Sequence, residues 1–252
     1  MRSTNGQKRP WSPPPRRLTL VGDEVHVWRA GLDVPESRER ALEAHLADDE
    51  MKRARRFYHA KDRRHFAVAR GLLREILSLY LDTPPDQLHL GYNPHGKPFL
   101  PGTAICFNLS HAGGLALYAI ARSMEIGIDI ERIRTDFECV EVADRFFSHR
   151  ETAALRSVPG DQQAVAFFSS WTRKEAFVKA LGEGLSFPLN QLDVTLAPNE
   201  PARLVSIIGD SPAAARFHLQ DLDVGDGYAA ALVVEGTSCQ IECWQWVEAV
   251  EV

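Results

Sequence analysis

The apolar and polar positions fall into two similar series. VHVWRAGL, residues 25–32, alternates as a half-buried strand does. A helical region follows from about Pro35 to Leu81. In it Ala67, Leu72, Leu73, Ile76, Leu77 and Tyr80 recur at the three- and four-residue spacing of one apolar stripe. Pro84 and Pro85 stop it. Four short strand-like stretches come next, LHLGY, KPFL, AICFNLS and LALYAIARS. They are punctuated at Asn93–Pro94, His95–Gly96 and Gly113–Gly114. GIDIERI at 127–133 opens the second series. Two helices are expected after it, at about 137–157 and 161–182, and then the strand-like LDVTLA, ARLVSII, RFHLQDLDV, YAAALVVE and QIECWQW.

Each series reads strand, helices, then a run of strands. The expectation is an α+β protein of two similar subdomains, residues 18–125 and 126–252, with the boundary near Ser123–Ile126. A ligand cleft between such halves is the first place to look. Residues 1–17, MRSTNGQKRPWSPPPRR, are proline-rich, basic and without period. They predict an extended arm, in which Trp11 hints that part of it packs.

Composition narrows the class. Of 252 residues, 44% are hydrophobic and 25% charged, as in ordinary globular proteins. The longest apolar run, LALYAIA, falls well short of the ~18–20 residues that span a bilayer, and no signal-like segment opens the chain. A cytoplasmic protein without membrane attachment is expected. Cys106, Cys139, Cys239 and Cys243 form no CxxC pair, so they read as reduced thiols, not as a zinc site. Net charge is −5, which argues against a nucleic-acid partner. Between Lys52 and Arg74, however, nine residues are Lys or Arg and one is acidic. That density fits either a solvated helix face or a phosphate site.

The candidate chemistry begins with GIDIE. Strand alternation puts Asp129 and Glu131 on one face and Ile128 and Ile130 on the other. Two close carboxylates resist joint ionisation unless a cation such as Mg²⁺ lies between them, although an exposed acidic strand has the same pattern. In WTRKEAFVKALGEGL, residues 171–185, Trp171, Lys174, Glu175 and Lys179 fall at i, i+3, i+4 and i+8 and are expected to share one helix face. Were that face to meet the GIDIE strand, Asp129, Glu131 and Glu175 would form an oxygen site for Mg²⁺. Lys174 and Lys179 would then flank it for phosphates. GKP puts Lys97 on a tight turn, and NLSHAGG puts Ser110 and His111 at a strand end before two glycines. Ser110 and His111 are no nucleophile–base pair, because adjacent strand side chains point apart. A metal-dependent nuclease or phosphodiesterase is the rival reading, and it predicts a broad basic surface.

Taken in order, RRFYHAKD, GKP, FNLSHAGG, GIDIE, RFFSHRE and WTRKEAFVKALGEGL resemble the Sfp-type 4′-phosphopantetheinyl transferases. GIDIE followed about forty residues later by WxxKExxxK is the specific part of the likeness. The resemblance implies a pseudo-dimeric monomer of two α+β halves. It implies transfer of the phosphopantetheine arm of coenzyme A to a serine of an apo carrier protein, with release of 3′,5′-ADP. Mg²⁺ or Mn²⁺ would sit on Asp129, Glu131 and Glu175. Glu175 would also take the serine proton, and Lys179 would hold the pyrophosphate. Lys97, Ser110 and His111 would hold the 3′-phosphate and the nearby ribose or adenine. Arg53, with Arg70 one helix face along, would reach another coenzyme A phosphate. The carriers implied are acyl or peptidyl carriers of fatty acid, polyketide or nonribosomal peptide synthesis. Residues 132–147, Phe137 in particular, are the expected apolar docking surface.

Overall fold

The computed structural model describes residues 10–15, 17–197, 200–208 and 213–247. Residues 1–9 and 16 of the expected arm lie outside them. In chain order the elements are β1 (Glu24–Gly31), α1 (Glu36–Glu43), α2 (Asp48–Ala54), α3 (Ala60–Leu81), β2 (Gly91–Tyr92), β3 (Pro98–Phe99), β4 (Ile105–Ala112), β5 (Leu115–Arg122) and β6 (Ile126–Arg132). There follow α4 (Cys139–Phe146), α5 (His149–Ser157), α6 (Gly160–Leu181), β7 (Leu192–Val194), β8 (Leu204–Ile207), β9 (Phe217–Asp221), β10 (Tyr228–Glu235) and β11 (Gln240–Gln245). Among the described residues, no helix is long and apolar enough to cross a membrane.

The α+β expectation holds. Two sheets carry the fold, one ordered β11-β1-β5-β4 and the other β6-β10-β9. They pack face to face between α3 and α6, two helices of 22 residues each. Strand alternation builds these layers. Trp28 and Ala30 of β1 turn to α3, where they meet Leu72, Leu73, Ile76 and Leu77. Val25 and Val27 turn the other way, onto Ile126, Ile128, Ile130 and Leu232. β5 is covered on both faces, which is why LALYAIA is a continuous apolar run and not an alternating one.

Two elements depart from expectation. The helix expected over 137–157 is two helices, because Ser148 accepts the Glu151 N–H while the Glu151 carboxylate accepts the Ser148 N–H. This capping box starts a new helix. QIECWQW, assigned by pattern to residues 126–252, does not join the second sheet. It forms β11, parallel to β1, with Val27 opposite Cys243. Beside β1 its alternate residues Ile241 and Cys243 are buried between the sheets. The start of the described chain braces this edge. Ser12 exchanges backbone bonds with Cys243 and Gln245. Trp11 donates to the Asp223 carbonyl at 2.7 Å and lies under the Arg29 guanidinium, so Trp11 packs as its apolar ring suggests.

Candidate active site

The site forms where β6 of the second half meets β4 of the first. Gly127 sets it. A Cβ there would come within 2.0 Å of the Ala176 carbonyl oxygen and 2.4 Å of the Ala180 nitrogen. α6 therefore rests directly on the backbone of β6, and only glycine permits that approach. The contact brings the outer face of α6 over the acidic residues of β6.

There Lys179 Nζ donates to Asp129 Oδ1 at 2.6 Å and to Ser110 Oγ at 2.8 Å. Ser110 Oγ donates to the same Asp129 oxygen at 2.9 Å. Asp129 is only 4% exposed, and its other oxygen, Oδ2, is buried without a hydrogen-bond partner. Burial, joined by the charges of Asp129 and Glu175, pushes Glu131 up to about 7 against the pull of Lys179 and Arg134. Burial, and then Asp129, also raises Glu175, which Lys179 opposes. Three carboxylates thus share one close ammonium. An orphaned oxygen and an excess of negative charge suit a hard divalent cation. Among the described residues, though, no three His, Cys, Asp or Glu side chains stand grouped at metal-holding separation. The residues fit such an ion in kind and charge, and a closed oxygen cage is not preformed.

Lys174 does not belong to this cluster. Its side chain is 0% exposed, lies 2.6 Å from Glu151 Oε2, and donates to the Leu189 and Leu192 carbonyls. The expectation that it binds coenzyme A is overturned. Consecutive helical residues are about 100° apart, since a turn takes about 3.6 residues. Glu175 and Lys179 therefore stay together at i,i+4 while Lys174 swings into the α5–β7 side. Trp171 also parts from the cleft. It stacks with Phe167 and meets Phe146 and Phe147. Phe177 anchors the other end of α6 through Phe187 and Phe217. Phe137 is half-buried against Phe167 and Phe168 under Arg134. Within 132–147 the exposed apolar side chain is Phe146, at 43%.

Beside the carboxylates opens a cavity of about 350 Å³ between the halves. Arg53, Lys97, Ser110, His111 and Lys179 all line it, so five of the expected ligand-binding residues converge although they are far apart in sequence. Lys97 already donates to the Ala180 carbonyl and to Glu125, which leaves one of its three N–H groups. The turn glycines Gly113 and Gly114 have φ of +57° and +89°, as a tight hairpin requires, but they are not part of the wall. Arg70 also lines the cavity, 4% exposed, with Nη1 buried and unpartnered. The one signal for it in the sequence is a charge set inside the apolar stripe of α3. Asn108, the first residue of NLSHAGG, lines the cavity too and accepts the Ile128 N–H at 2.9 Å, stitching β4 to β6.

Burial, with Lys179, His65 and Arg70 nearby, holds His111 down at about 4. His26 is also lowered, chiefly by burial, where it meets the Tyr80 hydroxyl at 2.8 Å. Both are neutral in the folded state, while the unfolded chain takes up protons below about pH 6.5. These two histidines therefore contribute a loss of stability as pH drops from about 6.5 toward about 4, and Glu131, raised to about 7, and Glu175 oppose it, because they take up protons in the folded state before they do in the unfolded chain. Thermal midpoints of wild type and His111→Asn across that range isolate the histidine part: wild type should lose stability relative to the variant on acidification, and parallel profiles would contradict the His111 environment.

Known proteins resemble this chain along most of its length. The pattern of the 4′-phosphopantetheinyl transferase superfamily matches residues 125–233, and that of the 4′-phosphopantetheinyl transferase N-terminal region matches residues 35–123. The 4′-phosphopantetheinyl transferase HetI of Nostoc sp. is 42% identical over 240 residues, covering 94% of this chain and 98% of that protein. The 4′-phosphopantetheinyl transferase Sfp of Bacillus subtilis is 30% identical over 198 residues, covering 78% of this chain and 85% of that one. Among solved structures, the holo-[acyl-carrier-protein] synthase of Thermotoga maritima aligns with a TM-score of 0.35 at 23% identity, over 45% of this chain and 64% of its own.

Proposed function

The chain belongs to the 4′-phosphopantetheinyl transferase superfamily, and on that premise we propose that it moves the phosphopantetheine arm of coenzyme A to a serine hydroxyl of an apo acyl or peptidyl carrier protein, releasing 3′,5′-ADP. The observation that carries the reading is the Ser110–Asp129–Lys179 cluster at the seam of the halves, opening into a cavity walled by cations.

Coenzyme A is a polyanion at one end, and Arg53, Lys97, Arg70 and the neutral N–H of His111 receive its phosphates. Lys179, held by Ser110 and Asp129, meets the pyrophosphate. The carrier serine oxygen attacks the phosphorus that bears the pantetheine arm. A P–O bond to the departing 3′,5′-ADP breaks, and Lys179 stabilises the charge that develops there. Glu175, half-buried beside Asp129, accepts the serine proton. Mg²⁺, or Mn²⁺, held by Asp129, Glu131 and Glu175, would supply charge neutralisation at the pyrophosphate when bound. Phe146 is the apolar contact offered to the carrier. The proposed setting is the cytoplasm, with the chain acting as a monomer. A nuclease would spread its cations over a broad surface, whereas Arg53, Lys97 and Lys179 here line one cavity.

The test is the intact mass of apo acyl and peptidyl carrier proteins after incubation with this protein, coenzyme A and Mg²⁺. One added phosphopantetheine, lost when EDTA is present, is expected. No addition across carrier types, together with no coenzyme A binding by calorimetry, would overturn the reading.

A further inference from the structure

The two halves are joined a second time, at the rim of the cavity. α6 ends at Gly182, whose φ of +73° turns the chain away and leaves the last carbonyls of the helix in need of donors. The donors come from the other half of the molecule. Asn93 Nδ2 donates to the Gly182 carbonyl at 2.8 Å, and Lys97 Nζ donates to the Ala180 carbonyl at 2.8 Å. His95 adds a third link, with Nδ1 3.1 Å from Ser186 Oγ. The Ser186 hydroxyl hydrogen is spent on the Glu183 carbonyl, so the histidine is the donor in that bond.

Asn93 organises this contact from within. Its Oδ1 accepts the backbone N–H groups of His95 and Lys97, both at 2.9 Å, and so shapes the 93–97 turn. Its amide nitrogen then fastens the shaped turn to α6. The space is filled closely, since a Cβ on Gly182 would come within 2.8 Å of Asn93 Nδ2 and 3.1 Å of Lys97 Cδ. His95, Gly96, Lys97 and Gly182 all line the cavity, and α6 also delivers Lys179 to it.

We propose that Asn93 is a positioning residue for coenzyme A: one side chain both folds the turn that presents Lys97 and clamps it to the end of the helix that presents Lys179. The inference rests on the transferase reading above. The ligand must meet cations from both halves at once, so a loosened clamp moves the ordering cost into the binding step. The chemistry depends on Glu175 and Asp129, which Asn93 does not touch.

Two variants separate the functions of the side chain. Asn93→Asp keeps the acceptor oxygen for the turn and loses the donor to Gly182. Asn93→Ser does the same without added charge, its hydroxyl being too short to reach α6. In both, the coenzyme A Kd by calorimetry and the KM for coenzyme A should rise about tenfold, with kcat reduced by less than about threefold. The thermal midpoint should drop by only about 2–4 °C, the loss of a single hydrogen bond. Either variant suffices if the other fails to fold. A wild type that binds coenzyme A beside folded variants whose Kd and KM stay within about twofold would overturn the inference alone, as would a loss confined to kcat. A wild type that binds no coenzyme A would overturn the transferase reading, and this inference with it.

Discussion

Glu175→Gln should leave the protein folded and all but inactive, with turnover down at least about 10³-fold. The amide matches the carboxylate in shape. It neither accepts the serine proton nor adds a negative charge beside Asp129. The expected effect on stability has the opposite sign. Burial and the Asp129 charge hold Glu175 above the ordinary carboxylate range, so the folded state opposes its ionisation at neutral pH. Removing that charge should leave the thermal midpoint equal or higher. Activity and midpoint measured on one preparation separate the two effects. Turnover near wild type would remove Glu175 from the mechanism, and a large fall in midpoint would make its role structural.

Lys174→Met, one residue away, should do the reverse. It strips the partner from Glu151, itself 2% exposed, and withdraws donors from two backbone carbonyls. A buried charge left unpaired costs about 3–5 kcal/mol. For a chain of this size that lowers the midpoint by roughly 10 °C. Glu151 keeps the N–H groups of Ser148 and Val194, so the loss falls at the lower end if these bonds tighten. Below the new midpoint, the KM for coenzyme A should match wild type. A normal midpoint with a raised KM would return Lys174 to the cleft, where spacing alone had put it.

The contrast between these neighbours divides what the chain encodes locally from what packing decides. Local period sufficed for the mix of strands and helices, for α6 ending at its glycine and for Asp129 and Glu131 sharing a face. Each of these depends on residues a few positions apart, and helix and strand geometry fix their relative directions. The resemblance to a known family then drew Arg53, Lys97, Ser110, His111 and Lys179 together, and the cavity contains all five.

Other features waited on tertiary structure because they depend on partners distant in sequence. The helical period says that Lys174 and Glu175 point about 100° apart, and it does not say which of the two directions meets the cleft. Packing against Glu151 decides that. QIECWQW carries a strand pattern, but which sheet it joins depends on which edge lets Ile241 and Cys243 be buried between the sheets. Asn93 looks like an ordinary turn residue until the fold spends its side chain on capping a helix from the opposite half, and that Arg70 keeps a buried N–H unpartnered at the cavity wall is likewise decided by packing. Sequence determines the direction of a side chain relative to its own element. Only the packed chain determines what that direction faces.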